Sequence, residues 1–243
     1  MANVLFFVPH QDDEVLTLGV GIRSHVEAGH NVHVILCTDG SGSIVRDRLN
    51  GLTPCGLHGM ITHNPSAEGY PFVEDVDFIK ARDDEFKAAC LALGVPSSNI
   101  HISRLAVQDG TLAVWRAKQI MRYYLNLYPN ASVKTHTYNG EGLGQLADHY
   151  NLGKALKELV DEGYYAVSDA RWYVEHYHKD DIQAAHPELL INVETCSSYQ
   201  AIKDACAAYN VWNPSQSKFA IGYHSVYKYF NTLLGNPVGY YHK

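Results

Sequence analysis

The sequence lacks the motifs that define several common enzyme classes. It has no G-x-x-x-x-G-K-[ST] phosphate loop, and Gly40-Ser41-Gly42-Ser43 is not the G-x-G-x-x-G that opens a helix after the first strand of a dinucleotide-binding domain. It also has no G-x-S-x-G, the turn that exposes a serine nucleophile in another large class of hydrolases. These absences argue against a nucleotide-binding protein and against a serine hydrolase.

Paired cysteines, long apolar runs and excess positive charge are also missing. The five cysteines form no C-x-x-C pair and are odd in number, so we expect a reduced compartment, the cytoplasm. No apolar run approaches the roughly 20 residues that span a bilayer, and the N-terminal residues predict a buried strand rather than a signal peptide. The net charge of −7 argues against nucleic acid and against an anionic membrane surface as partners.

The pattern that is present indicates an α/β protein. Apolar residues make up 46% of the chain and charged residues 19%, which is typical of a globular domain. Residues 4–8 and 31–38 are buried strands by pattern, with a helix over 13–29 between them, so they form a βαβ unit. Further along, the predicted helices cover 78–93, 110–127, 148–162, 197–210 and 217–234, and the predicted strands cover 99–105, 131–138, 170–175 and 189–193.

This alternation predicts one Rossmann-like domain over residues 1–243, with three layers, a mostly parallel central sheet and helices on both faces. Residues 40–77 contain many glycines and little periodicity, so we expect a long active-site loop there, over one end of the sheet. The pattern defines helices and strands least clearly over residues 163–243.

Two groups of polar residues follow strands of the predicted sheet. His10 ends the first strand and Asp13 enters the next helix, while Asp148 and His149 begin the helix that follows strand 131–138. Ligands of such folds lie outside the carboxyl ends of the strands, so we expect His10, Asp13 and His149 to bind Zn²⁺, with Fe²⁺ as the alternative. Asp12 would be a free carboxylate suited to general-base catalysis, and Asp148 would orient a ligand imidazole.

A structural role for the same acidic residues is the alternative. Asp12, Asp13 and Glu14 could cap the first helix and interact with its positive end. A histidine directly before them, at the carboxyl end of a strand, favours the metal site.

The motifs resemble those of a known family. Pro9-His10-Gln11-Asp12-Asp13-Glu14 resembles the [AP]-H-x-D-D-E signature of the LmbE/PIG-L family of metal-dependent N-deacetylases. The helix that begins at Arg82 resembles the family's R-x-x-E-x-x-A-A-x-x-L-G-V, Asp109-Gly110 resembles its Asp-Gly, and Asp148-His149 resembles the end of its H-x-D-H. The matched blocks follow the family's order and cover residues 4–162.

The resemblance implies a reaction and a role for each matched residue. His10, Asp13 and His149 would be zinc ligands, and Asp12 would be the base in the hydrolysis of an acetamide to an amine and acetate. Arg82 and Asp109 would lie at the substrate. The partner would be a small molecule, an N-acetylglucosamine unit attached to a lipid, inositol or another aglycone. The oligomeric state stays open, a homo-oligomer included.

One position departs from the family pattern. The family has a histidine two residues before the aspartate of its Asp-His pair, whereas this chain has Leu146. A developing negative oxygen needs a donor besides the metal, and His136 and His224 are the candidates for this catalytic role. The alternatives are a weak or inert member of the fold that binds metal or carbohydrate, and a hydrolase of a different amide.

Overall fold

The computed structural model describes residues 2–166 and 169–243. Its first part comprises β1 (Asn3–Val8), α1 (Asp13–Leu16), α2 (Gly19–Glu27), β2 (Asn31–Thr38), α3 (Val45–Leu49), α4 (Pro65–Glu68), α5 (Asp75–Ala92), β3 (Ile100–Val107), α6 (Val114–Leu127), β4 (Ser132–His136) and α7 (Ala147–Asp161). The second part comprises β5 (Ala170–Val174), α8 (Lys179–Ala185), β6 (Asn192–Glu194), α9 (Tyr199–Ala208), β7 (Trp212–Asn213), β8 (Lys218–Phe219), α10 (Ile221–Gly235) and β9 (Gly239–His242).

Seven strands form one central sheet in the order β3-β2-β1-β4-β5-β9-β6. The five strands from β3 to β5 pair in parallel, and β9 lies antiparallel between β5 and β6. This mostly parallel sheet with flanking helices confirms the predicted Rossmann-like fold. The strand order reverses between β1 and β4, and the crevice at such a point is where sheets of this type bind their ligands.

The position of β1 in the centre of the sheet explains why its sequence is continuously apolar. Val4, Phe6 and Val8 pack on one face of the sheet against α2, α5 and α9, while Leu5 and Phe7 pack on the other face against α6 and α7. Successive side chains of a strand point to opposite faces, so a strand covered on both sides has no polar position. The two buried clusters hold the carboxyl ends of β1 and β4 side by side.

The segment 40–77 is more ordered than the sequence suggested. It contains α3 and α4, and Val45, Leu49, Tyr70 and Val73 form a third buried cluster with Phe78, Ala81, Phe219 and Ile221. Asn50 joins the part of this segment that contains α3 to the part that precedes α5. Its side chain donates to the carbonyl of Val73 at 3.0 Å and accepts from the Val73 amide at 2.7 Å. Helices of four and five residues are too short to give a periodic pattern, which is why the sequence predicted a loop.

Other boundaries also differ from the expectation. The helix predicted over 13–29 is divided into α1 and α2, and the antiparallel strand β9 was not predicted at all. All five cysteines are free thiols. Within the described residues, none of the helices combines the length and the apolar character needed to cross a bilayer.

Candidate active site

The turn after β1 places three polar side chains at the crevice. Asp12 adopts φ 110°, which residues with a side chain rarely do. Buried polar contacts hold this turn: the His10 amide donates to Oδ2 of Asp13 at 3.2 Å, and the Asp12 amide donates to Oε2 of Glu14 at 3.0 Å. The other oxygen of Glu14 accepts from the hydroxyl of Tyr209 at 2.6 Å. A strained backbone that is held this firmly points to a functional constraint on Asp12.

Three potential ligand atoms form a compact triangle beside this turn. Nδ1 of His10 lies 3.0 Å from Nε2 of His149, and Oδ2 of Asp13 lies 3.3 Å from the first atom and 3.1 Å from the second. Ligands of a tetrahedral zinc ion with bonds of roughly 2.0–2.1 Å are about 3.3–3.4 Å apart. The donor set and its spacing therefore fit a divalent cation of the Zn²⁺ or Fe²⁺ type with a fourth position open to the crevice.

Carboxylates fix the orientation of both imidazoles. Nε2 of His10 lies 3.2 Å from Oδ2 of Asp148 and 3.1 Å from Oδ1 of Asp109, while Nδ1 of His149 contacts Oε1 of Glu175. Asp148 is held in turn by the amides of Gly110 at 2.7 Å and Leu112 at 3.0 Å. Protons on the nitrogens that face the carboxylates leave Nδ1 of His10 and Nε2 of His149 as the nitrogens that can bind a metal.

The electrostatics favour a cation at the triangle. Burial raises the pKa of Asp12, and the charge of Asp13 raises it further, to about 7. Burial also opposes the ionisation of Asp13, but His149 and His136 hold the pKa of Asp13 well below its ordinary value. Burial lowers the pKa of His149, but Asp13 and Glu175 outweigh it and raise that pKa to about 10. The buried acidic groups thus attract positive charge, and a divalent cation neutralises them.

The triangle opens into a cavity of about 400 Å³. Asp12 and Arg82 line it, as do Asp109, Leu146 and the stacked rings of Tyr177 and Tyr229. Nη2 of Arg82 lies 3.7 Å from Oδ2 of Asp12, and its guanidinium donates to the carbonyls of Gln11 at 2.7 Å and Gly40 at 2.8 Å. Arg82 therefore joins the turns after β1 and β2 and sets the position of the Asp12 carboxylate.

Neither of the two histidines proposed as replacement donors is among the described residues that line this cavity. His136 is fully buried behind the ligands, with Nδ1 3.4 Å from Glu175 and Nε2 3.8 Å from Asp13. His224 lines a different cavity, next to His63 and Trp212. The catalytic role expected of His136 and His224 therefore stays a prediction, one that their absence from the lining of this cavity does not support. Leu146 is 60% exposed on the cavity wall, so no polar group stands at that position.

Two residues of the site were missed in the sequence. Glu175 directly follows β5, and His178 lies three residues later in the turn before α8, on the cavity wall. Nε2 of His178 is 3.4 Å from Oε2 of Glu175. The available signal was that Glu175 ends the predicted strand 170–175 and His178 follows it, because the carboxyl end of β5 meets the same edge of the sheet as those of β1 and β4.

The fold and this site define a class: Rossmann-like α/β proteins with a candidate metal centre at the reversal of strand order. A family model described as "PIG-L: GlcNAc-PI de-N-acetylase" matches residues 5–160, and the chain belongs to this family. The matched range agrees with the block of motifs at 4–162. No curated protein sequence matches that of this chain.

Solved structures share the fold at low sequence identity. A teicoplanin deacetylase complex has a TM-score of 0.62 at 14% identity, over 99% of this chain and 97% of that one. An N,N'-diacetylchitobiose deacetylase from Pyrococcus horikoshii has a TM-score of 0.58 at 15% identity, over 95% and 76%. The 4-carboxy-2-hydroxymuconate hydratase from Pseudomonas putida has a TM-score of 0.52 at 14% identity, over 100% and 95%. Because the last is a hydratase, the fold by itself does not define the reaction.

Proposed function

We propose that the protein is a metal-dependent N-deacetylase that hydrolyses the acetamide of an N-acetylglucosamine-type conjugate. The observation that carries the proposal is the triangle of His10, Asp13 and His149, with edges of 3.0–3.3 Å, beside the Asp12 carboxylate on the wall of the same cavity. Membership of the PIG-L family, described as GlcNAc-PI de-N-acetylase, supports the reaction. Two of the similar solved structures are also deacetylases, one in complex with teicoplanin and one for N,N'-diacetylchitobiose.

Zinc is the metal that the two imidazoles and one carboxylate suit best, with iron as the alternative. When bound by His10, Asp13 and His149, such an ion supplies a more acidic water and polarises an acyl oxygen. The remaining tasks fall to the chain itself: removing the proton of the water, stabilising the developing negative oxygen and protonating the leaving amine.

Asp12 is the proposed base. Its carboxylate lines the cavity into which the triangle opens, and the guanidinium of Arg82 lies 3.7 Å from it. The carboxylate accepts a proton from the attacking water and delivers it to the amide nitrogen as the carbon–nitrogen bond breaks, which releases acetate and the free amine. General-base catalysis of this kind contributes about 10²–10⁴-fold to the rate.

His178 is the proposed donor in place of the family histidine that Leu146 lacks. It lies on the cavity wall, and Glu175 is close enough to orient its ring. The sugar would lie against the aromatic wall of Tyr177 and Tyr229, whose rings stack with centroids 3.7 Å apart. Asp109 and Arg82, which line the same cavity, would set the position of the sugar through the turns they hold.

The test combines metal analysis with acetate release from a panel of N-acetylglucosamine conjugates, with and without chelator. The wild type should contain metal and release acetate, and Asp13→Ala should lose both. Asp12→Asn should keep the metal and lose about 10²–10⁴-fold in kcat. The matched control is Asp84→Asn, at an exposed carboxylate on α5, which should be fully active. Unchanged turnover in Asp12→Asn would remove Asp12 as the base.

A second variant tests the donor. His178→Gln should lower kcat about 10²–10³-fold, the usual cost of removing an oxyanion donor. His176→Gln is its control, because His176 is bound to the carbonyl of Val238 at 2.6 Å and lies two residues away.

The exposed leucine at position 146 favours two other candidate functions, a binding protein and a hydrolase of a different amide with the same metal. Metal bound at the triangle without acetate release from any conjugate would favour these two functions over the deacetylase.

A further inference from the structure

A second group of potential metal ligands lies apart from the candidate active site. Cys55, His63 and His224 each offer one ligand atom, and these atoms lie within 4.8 Å of one another. The Cys55 side chain is fully buried and His224 is 2% exposed. His63 and His224 line a cavity of about 390 Å³ together with Trp212, whose ring stacks on that of His63 at 5.4 Å.

The imidazoles of this group are oriented in the way that metal-binding histidines are. Nδ1 of His63 donates to Oε2 of Glu68 at 2.9 Å, and Nδ1 of His224 donates to the carbonyl of Ala220 at 2.8 Å. Both partners are oxygens that only accept, so each imidazole directs the hydrogen of its δ nitrogen at that oxygen. A carboxylate or carbonyl behind the ring is the usual support of a ligating histidine.

The three residues come from two distant parts of the chain. Cys55 lies in a closed loop, because its amide donates to the carbonyl of Ile61 at 2.9 Å and the Met60 amide donates to its carbonyl at 3.0 Å. His63 precedes α4, and His224 lies in the first turn of α10. The carbonyl of His224 also accepts from Arg48 of α3, so the two parts are already in contact.

We propose that Cys55, His63 and His224 bind a second metal ion of the Zn²⁺ class, which joins the segment 40–77 to α10. One thiolate and two imidazoles suit zinc better than magnesium or calcium. Tetrahedral sulfur and nitrogen ligands of zinc are about 3.4–3.7 Å apart. The three ligand atoms lie within 4.8 Å of one another, so they would approach each other by about 1 Å when the ion binds. Ile44 and Ser225, which belong to the same two parts of the chain, line the candidate active-site cavity. The second ion would therefore hold two walls of that cavity together.

Cobalt distinguishes the two sites spectroscopically. A thiolate bound to Co²⁺ gives a charge-transfer absorption in the near ultraviolet, and the triangle of His10, Asp13 and His149 contains no sulfur. We expect metal-stripped wild-type protein to take up two equivalents of Co²⁺ and to develop this absorption. Its absence from wild-type protein saturated with Co²⁺ would overturn the proposal, and this measurement does not depend on any variant.

Variants assign the absorption to the site. Cys55→Ser should abolish the charge-transfer band and reduce the uptake by one equivalent, whereas Asp13→Ala should reduce the uptake but keep the band. Cys196→Ser is the matched control at a partly buried thiol elsewhere and should change neither quantity. A band that persists in Cys55→Ser would overturn the proposal. The proposed deacetylase activity could fail while these results stand, since they concern different ligands.

Discussion

Replacing Glu175 with glutamine should weaken metal binding at the candidate active site without removing a ligand. Glu175 is 1% exposed, its Oε1 contacts Nδ1 of His149, and the same oxygen lies 3.4 Å from Nδ1 of His136. Glutamine keeps the shape and one acceptor oxygen but loses the negative charge that makes His149 a stronger ligand. Loss of such a supporting carboxylate typically costs 10–100-fold in metal affinity, or about 1.4–2.8 kcal/mol.

The assay is an equilibrium competition for zinc between the protein and a chelator of known affinity. Glu194→Gln is the matched control, because Glu194 is also mostly buried but accepts from Ser24 at 3.1 Å and pairs with Arg171 at 2.9 Å, away from the triangle. The control should bind zinc as the wild type does. An unchanged affinity in Glu175→Gln would refute the role of this carboxylate, and a complete loss of binding would show that Glu175 is itself a ligand.

Two further predictions concern packing and burial. In Gly153→Ala the new Cβ would lie 2.6 Å from the His136 carbonyl and the Tyr138 amide, so α7 must shift away from the end of β4. We expect the free energy of unfolding, measured by thermal unfolding, to fall by about 1–3 kcal/mol, and zinc binding to weaken. Gly235→Ala, with open space around its Cβ, is the control and should be close to neutral. Burial lowers the pKa of Lys134 to about 7, below the 10.5 of an unfolded lysine. The contribution of Lys134 to the free energy of unfolding is therefore present above pH 10.5 and is lost as the pH falls through about 7. Lys134→Met should therefore reduce the rise in Tm between about pH 7 and the alkaline limit, and an unaltered pH profile would contradict the lowered pKa of this amine.

The sequence predicted the parts of this protein that depend on short stretches of chain. β1 and β2 are continuous apolar runs because both faces of the sheet are covered, and this pattern is visible without a structure. β9 is a four-residue strand at the end of the chain, and its pairing with β5 brings together residues that are far apart in sequence. A short strand carries too little pattern to be recognised, and the sequence contains no signal for its partner.

The same distinction separates the two proposed metal sites. His10 and Asp13 are three residues apart and His149 follows a strand that lies beside β1, so the strand order alone brings them to one edge. Cys55, His63 and His224 meet only because the segment 40–77 folds onto α10 through its own buried cluster. Periodicity assigns no structure to that segment. Of the 14 histidines, the two proposed sites would use His10 and His149 in one and His63 and His224 in the other, and only the first pair lies in a sequence motif.

The proposed replacement of the missing motif residue at Leu146 depends on the topology of the sheet. A donor is needed at a point in space, and every strand of the parallel part of the sheet ends at the edge where that point lies. Gly144 has φ +87°, and a Cβ on it would be 3.1 Å from Cε1 of His178, so the turns after β4 and β5 are in contact. The imidazole of His178 can thus serve the space beside Leu146 from a different turn. We expect Gly144→Ala to displace this imidazole and to lower kcat with little change in bound metal, whereas Gly142→Ala, which has an equally left-handed φ of +77° but open space, controls for backbone strain. Equal activity losses in the two variants would show that strain in the turn, rather than the position of His178, limits catalysis.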